Sequence, residues 1–338
     1  MATLSQLSQI DNQRGREALG YILQYSPLLR FYEEQSAFAE GGTTFDSMPV
    51  DADGTVQTRV LGGSYTSNDL GLPTRIPQAL GFHGDQLDID RSIVADAERG
   101  LRSVEAYINK FFPLKVKYWV EGMERLVMNG TGVKDNSGRE MKGLSVILDG
   151  QTDLPGFTGH TGVIDAVDFL STSPNAFDLT DEANWDDFME GMEQLMYMVG
   201  ATGILLNRQL GSKMTTIARK NHIQGERRDA FGNPIDQYDA ADLVRLNDGS
   251  ITNTESDNAS TPNDVTTSLY LVRPAEGEQD IVTNSGLEFE DYDGQKVQEK
   301  QSTRMTWEMR CENNITDKWS ILRVRNIKVP SGTESLFA

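Results

Sequence analysis

The chain has few of the side chains on which enzyme sites and disulfide-linked domains depend. Its 338 residues include one cysteine, Cys311, and three histidines, His83, His160 and His222. A single cysteine excludes a disulfide within the chain, and scattered histidines leave little for a zinc site or a histidine-based catalytic centre. No phosphate-binding loop, dinucleotide fingerprint or nucleophile elbow occurs. We therefore expect no catalytic, cofactor-binding or metal-binding residue, and no enzyme activity.

Positive charge and long apolar runs are also scarce. The chain has 31 Lys and Arg against 51 Asp and Glu, so its formal net charge is -20. Proteins that bind the phosphates of DNA or RNA have the opposite sign of charge on the binding surface. No apolar run of about 18 residues occurs, and the first residues lack the basic and apolar regions of a secretory signal. These absences predict a soluble, cytoplasmic chain without a membrane span. With 38% hydrophobic residues, the chain has enough apolar material for a sizeable core.

The first 40 residues contain helical patches and one apolar cluster. The cluster follows Pro27 and comprises Leu28, Leu29, Phe31 and Tyr32. Such a cluster near a terminus indicates an arm that packs on the body or on a neighbouring subunit, or else a terminal helix that folds on its own domain. The sequence alone leaves both alternatives open.

Residues 41–84 are rich in Gly, Pro, Thr, Ser and Asp and contain no lysine. Short alternating pieces at Val56–Leu61 and Leu70–Ile76 predict a long two-stranded excursion with too little apolar surface for its own core. Loops of this length are usually functional or intermolecular. The first lysine of the chain is Lys110.

A short strand, Leu87–Asp90, is predicted before a long helix from about Ile93 to Asn129. One face of that helix carries an apolar stripe at three- and four-residue spacing, consisting of Phe112, Val116, Trp119 or Val120, Met123 and Val127. Pro113 either kinks one helix or begins a second. A glycine in Gly130–Gly132 suits a left-handed cap, and Gly143–Leu148 reads as a strand.

A second body follows residue 149 and alternates helices with strands. Thr180 is the predicted cap of a helix with the stripe Trp185, Phe188, Met192, Leu195 or Met196, and Val199. A strand at Gly203–Leu206 leads through Asn207, as a cap, into a helix that ends in Arg219 and Lys220. Residues 249–264 read as an exposed loop. The remaining segments are β-like: 268–273, 281–282, 287–292, 303–311 and 319–329.

The order of these parts, together with several short motifs, resembles the major capsid proteins of tailed bacteriophages. The motifs are Asp88-Ile89-Asp90-Arg91, Glu124 to Gly130, Lys142-Gly143-Leu144, Gly203 to Asn207, Phe231 to Ile235 and Leu243 to Asp248. They occur in order over roughly residues 28 to 330.

The resemblance implies an α+β fold of the Hong Kong 97 type with five segments. They are an N-terminal arm (1–40), an extended E-loop (41–87), a peripheral domain with a spine helix (88–148), an axial domain (149–264) and a β-rich return to the peripheral and axial domains (265–338). Contact with a neighbouring subunit is then expected of the E-loop and of the apolar cluster in the arm.

The implied function is a structural shell. Such proteins self-assemble as hexamers and pentamers into an icosahedral virion capsid around double-stranded DNA, without sequence-specific binding, in the host cytoplasm. The implied partners are further copies of the chain, a separate scaffolding protein, a portal protein and a cement or decoration protein. No membrane partner is implied.

Two departures from the family modify this expectation. The arm begins almost at Met1, so we expect a fused scaffold to be absent or already removed. The E-loop has no lysine, so we expect no lysine–asparagine cross-links between subunits. Two alternatives stay open: an encapsulin-like compartment that encloses protein cargo, and a soluble hydrolase that uses acidic residues such as Asp88, Asp90, Asp186 and Asp187.

Overall fold

The computed structural model describes residues 13–49, 75–90, 92–93, 104–135, 138–170, 174–220, 224–228, 232, 234–256, 265–297 and 302–329. The helices are α1 (Gln13–Tyr25), α2 (Pro27–Glu34), α3 (Val104–Asn129), α4 (Leu144–Ile147), α5 (Trp185–Val199) and α6 (Arg208–Lys220). The first nine strands are β1 (Phe38–Glu40), β2 (Thr44–Ser47), β3 (Ile76–Ala79), β4 (Gly81–Asp90), β5 (Lys134–Asp135), β6 (Gly138–Arg139), β7 (Val163–Asp165), β8 (Phe177–Asp178) and β9 (Gly203–Leu206). The others are β10 (Gln224–Arg228), β11 (Pro234–Tyr238), β12 (Ala241–Arg245), β13 (Glu255–Ser256), β14 (Val265–Val272), β15 (Gln279–Val297), β16 (Ser302–Ile315) and β17 (Ile321–Lys328). The chain is therefore a mixed helix and sheet protein, as predicted.

Helix α3 packs on a four-stranded sheet with the order β1-β15-β16-β4. Trp307, Met309 and Cys311 alternate along β16 and are buried toward the helix, as the alternating pattern predicts. The Trp307 ring meets Phe112 of the helix at 5.6 Å between centroids. Strands β14 to β17 confirm the prediction that the described chain after residue 264 is β-rich.

The long helix runs without interruption through Pro113. Its predicted apolar stripe is confirmed, because Phe112, Val116, Met123 and Val127 are all buried. A single helix therefore replaces the alternative of two helices that meet at Pro113.

The apolar cluster near the N-terminus is covered by the chain itself. Ser26 caps α2 by accepting a hydrogen bond from the Leu29 amide at 3.1 Å, and Pro27 occupies the first turn. Leu28, Leu29, Phe31 and Tyr32 are each no more than 3% exposed and belong to the same core cluster as helix α3. The alternative of a helix folded on its own domain is confirmed, and the expectation that this cluster packs on a neighbour is wrong.

A nine-stranded mixed sheet separates two hydrophobic clusters. Along β9, Ile204 and Leu206 face the cluster formed with α5 and α6, whereas Leu205 faces the cluster formed with α3. Asn207 caps α6 as predicted, because its side-chain oxygen accepts from the Leu210 amide at 2.8 Å. Strand β14 and strand β17 lie in this sheet, while β15 and β16 lie in the smaller one.

Strands β2 and β3 pair as an antiparallel ribbon from Thr44↔Ala79 to Ser47↔Ile76. This pairing agrees with a two-stranded excursion, although Val56–Leu61 and all but the last two residues of Leu70–Ile76 lie outside the described residues. The predicted strand Leu87–Asp90 is confirmed as the end of β4, which begins earlier, at Gly81, and pairs with β16.

The strand predicted at Gly143–Leu148 is wrong, because Leu144–Ile147 form a helical turn. Short apolar runs do not distinguish a strand from a helical turn. Here Gly143 packs so closely on the end of α3 that an added Cβ would lie 2.4 Å from the Gly130 nitrogen. The turn from that point buries both Leu144 and Leu148.

Three local predictions also need correction. Thr180 does not cap α5; its hydroxyl donates to Asp178, and a short 3-10 turn precedes Trp185. The left-handed glycine after α3 is Gly132, at φ +67. Position 130 requires glycine for a different reason, because a Cβ there would clash with the Met141 carbonyl oxygen. The loop predicted at 249–264 contains the buried Ser250 and the strand β13.

Candidate assembly surface

Helix α3 carries a second apolar stripe, which we call the outer stripe: Phe111, Leu114 and Tyr118. These side chains are 37%, 49% and 67% exposed. At about 100° per residue they share one side of the helix, and Met123, nine residues after Leu114, lies half a turn away. The helix is therefore apolar on two opposite faces, of which only one is buried.

Three lysines border the outer stripe. The Lys110 ammonium lies 5.5 Å from the centre of the Phe111 ring. Lys115 pairs with Asp85 at 3.2 Å, and Lys117 pairs with Glu121 at 3.8 Å, both as surface contacts. Two of these three lysines therefore lie in ion pairs at the edge of an exposed apolar face.

The buried side of the same helix contains a carboxylate that sequence reasoning missed. Glu124 is fully buried and accepts hydrogen bonds from the Ser26 hydroxyl at 2.8 Å, the Asn247 amide at 2.6 Å and the Ser250 hydroxyl at 3.0 Å. Burial raises the pKa of this carboxyl, although the hydrogen bonds that it accepts lower the pKa in part. The signal was a charged residue at the edge of the apolar stripe, between Val120 and Val127.

A second buried carboxylate holds the turn after α3. Glu312 on β16 accepts from the Lys142 amide at 2.6 Å, and the Arg139 guanidinium lies 3.6 Å away. Burial raises the pKa of Glu312 to about 7. Both carboxylates connect segments that are distant in sequence, so they serve the fold rather than an open site.

The described histidines and the cysteine have structural surroundings. His83 is buried on β4, where burial lowers its pKa, and the His160 ring nitrogen lies 3.0 Å from the Lys318 carbonyl. His222 lies outside the described residues. Cys311 is a free, buried thiol whose pKa is raised by burial.

The acidic pairs have local structural partners. Asp88 pairs with Arg304 at 2.7 Å, and Asp90 accepts from the Ser92 amide. Asp186 and Asp187 lie in the first turn of α5, where they oppose the positive end of the helix dipole.

Within the described ranges, no three His, Cys, Asp or Glu side chains converge in a way that could hold a metal ion. Among the helices that the structure describes, none has the length and apolar content needed to cross a bilayer.

No family model matches this sequence, and no curated protein matches it. Its fold, in contrast, matches solved shell structures. The encapsulin of the holo-SrpI encapsulin complex from Synechococcus elongatus PCC 7942 has a TM-score of 0.54 at 11% identity, over 87% of this chain and 86% of that chain. The cyanophage A-1(L) capsid has a TM-score of 0.52 at 12% identity, over 89% and 92% of the two chains. The capsid of the native GTA particle has a TM-score of 0.50 at 13% identity, over 87% and 89%.

The chain has the capsid and encapsulin fold. The matches cover most of the chain, so the fold includes both sheets rather than one isolated motif. Phage capsids and an encapsulin share it, and at these identities the likeness establishes the fold alone.

Proposed function

We propose that this chain is the major capsid protein of a tailed bacteriophage, which assembles as hexamers and pentamers into an icosahedral shell around double-stranded DNA. The observation that carries the proposal is the outer stripe of α3. Three large apolar side chains lie exposed on one helix whose opposite face already packs on the sheet. In a shell, a neighbouring subunit covers such a face.

The segment that covers the stripe in this proposal is the E-loop, residues 41–87, of a neighbouring subunit. Its central part, residues 50–74, contains three Asp, one Arg and no Lys, together with Val56, Val60 and Leu61. This segment is polar and weakly acidic with a few apolar side chains, and its acids complement the lysines that border the stripe. The paired strands β2 and β3 support an excursion that leaves the body as a ribbon.

The remaining segments follow the same plan. The arm comprises residues 1–40, and α2 attaches it to its own subunit. The peripheral domain comprises residues 88–148, the axial domain residues 149–264 and the β-rich return residues 265–338. The distribution of β14 to β17 over both sheets supports a return that serves two domains. A net charge of -20 keeps the inner wall from adhering to the packaged DNA.

The shell so formed is a non-enzymatic virion capsid, assembled in the host cytoplasm. Its proposed partners are a separate scaffolding protein, a portal protein and a cement or decoration protein. Because the E-loop has no lysine and Cys311 is buried, we expect subunits to be held without covalent bonds. Boiled particles on a denaturing gel without reductant should give one band near 37.5 kDa, and a ladder of oligomers would contradict this.

Replacing residues 50–74 by a Gly-Ser linker of equal length tests the proposal. The variant should melt like the parent subunit, since the sequence of this segment has too little apolar surface for a core, yet form no shells in negative-stain micrographs. Shells of normal yield and size would overturn the assignment of the E-loop. Unchanged melting separates failed assembly from failed folding.

The match to an encapsulin supports a second candidate, a shell that encloses protein cargo. The contents of purified particles distinguish the two. Nuclease-protected double-stranded DNA supports the capsid, whereas an enclosed protein without DNA supports the compartment.

A further inference from the structure

The ribbon of β2 and β3 is attached to the body at both of its ends. At its base, the Gly41 amide donates to the Thr283 carbonyl of β15 at 2.8 Å. At its other end, Pro49 and Ile76 contact Gly156, in the loop between α4 and β7. This second end is the place where the chain leaves toward residue 50 and returns from residue 74.

The contact at Gly156 leaves no room for a side chain. A Cβ at Gly156 would lie 2.0 Å from Cγ and 2.8 Å from Cβ of Pro49, and 3.4 Å from the Ile76 methyl. Pro49 is itself buried at this contact, and its ring has little freedom to move aside. Gly156 also has a left-handed backbone, at φ +87.

The loop that carries Gly156 is firmly anchored. Leu154 and Phe157, on either side, are 1% and 2% exposed and belong to the core cluster of α3. The Leu154 amide donates to the His160 carbonyl at 2.8 Å, and the Gly159 amide donates to Asp153 at 2.8 Å. The ribbon therefore rests on a part of the core rather than on a free loop.

We propose that Gly156 is a positioning residue for shell assembly: by seating Pro49 it sets the direction in which the E-loop leaves the subunit. The inference rests on the proposed function, because direction matters only if the segment must meet a neighbour. A ribbon fixed at its base and at its exit holds Pro49 and Ile76 in one position, and in this proposal that position sets the course of the segment between them. Without the seat, the same segment leaves the subunit over a range of directions and docks less often.

The same loop supplies a matched control. Gly159 is also left-handed, at φ +73, but a Cβ there would have no atom within 4 Å. Gly156→Ala and Gly159→Ala therefore share the backbone penalty of alanine in this conformation. Only Gly156→Ala displaces the ribbon.

Two measurements on both variants test the inference. Hydrogen exchange on the free subunit should show ribbon amides of 44–47 and 76–79 exchanging about tenfold faster in Gly156→Ala than in Gly159→Ala. Negative-stain counting should show shells from Gly159→Ala and a loss of about tenfold or more from Gly156→Ala, at matched melting temperatures.

The outcomes separate the inference from the function it rests on. Equal exchange and equal shell yield in the two variants overturn the role of Gly156 and leave the shell function intact. If even the parent chain forms no shells, the proposed function fails, and the exchange measurement alone decides whether Gly156 seats the ribbon. Faster exchange with normal shells shows a seat that assembly does not need, and overturns the positioning role.

Discussion

The two faces of helix α3 have similar side chains at similar spacing and different surroundings. Phe112, Val116 and Met123 are no more than 3% exposed, packed on the four-stranded sheet and the N-terminal helices. Phe111 and Tyr118, one turn or less away, are exposed. Periodicity therefore identifies an apolar face of a helix. Whether that face stabilises the subunit or an assembly depends on which segment, from the same chain or from another subunit, covers it.

The two faces also differ in the surroundings of their charged side chains. On the buried side, Glu124 is held by donors from two other segments, Ser26 and residues 247–250. On the outer side, Lys115 and Lys117 are partly exposed and pair with Asp85 and Glu121. Charge on the buried side thus connects distant segments of the fold, whereas charge on the outer side lies in surface ion pairs.

The largest effect on subunit stability is expected from Met123→Asp. An unpaired carboxylate would lie at the centre of the buried face, so the free energy of unfolding should fall by about 4 kcal/mol or more. Chemical denaturation measures it. Met123→Leu, which preserves volume, should cost less than about 1.5 kcal/mol; equal melting of Met123→Asp and the parent would mean that this face is not buried.

A smaller loss is expected from Ser250→Ala, which removes one donor from the buried Glu124 carboxylate. Hydrogen bonds to charged groups contribute about 1.5–3 kcal/mol, and the loss should be of that size at neutral pH. Ser212→Ala on the exposed face of α6 is the control, because its hydroxyl bonds only to a helix carbonyl.

The pH dependence of Ser250→Ala sharpens this expectation. Burial raises the pKa of Glu124 above 4.5 in the folded protein. The folded state therefore binds the proton more tightly than the unfolded state, which stabilises the fold at low pH. This contribution is lost as the pH rises through the pKa of the folded state. The missing hydroxyl matters most to the ionised form. The difference between Ser250→Ala and parent should therefore shrink as the pH is lowered through that pKa; a difference independent of pH would separate Ser250 from the charge of Glu124.

A gain is expected from Gly122→Ala. Gly122 lies inside the helix, and a Cβ there would meet nothing within 4 Å. Alanine should stabilise the subunit by about 0.5–1 kcal/mol, because glycine loses more backbone entropy in a helix. Thermal unfolding of the free subunit measures the gain, and a loss would reveal a neighbour on this side of the helix.

The smallest effect on the subunit is expected from Leu114→Glu on the outer stripe. Glutamate keeps helix propensity, so stability should change by less than about 0.5 kcal/mol. Shell formation should nevertheless be lost, because the new charge repels the acidic E-loop. Leu114→Met should assemble normally, and normal shells from Leu114→Glu would remove the outer stripe from the proposed interface.

Much of the local structure was predictable because local rules apply to it. The period of α3 and α5, the Asn207 cap and the alternation of Trp307, Met309 and Cys311 follow from spacing and side-chain chemistry within a few residues. The error at Gly143–Leu148 has the opposite origin. The close contact of Gly143 with Gly130 decides the conformation there, and that contact joins segments on either side of a hairpin.

Patterns along the chain predict the mixed helix and sheet class, the long helix with its apolar stripe, the β-rich segment after residue 264 and the lysine-free segment 41–84. Only the tertiary structure decided that Leu28 and Phe31 pack on their own subunit, that Glu124 is buried among distant donors, and that Phe111, Leu114 and Tyr118 remain uncovered. The physical reason is that periodicity and capping depend on neighbours along the chain. Burial depends on which distant segments meet, and that is a property of the whole fold.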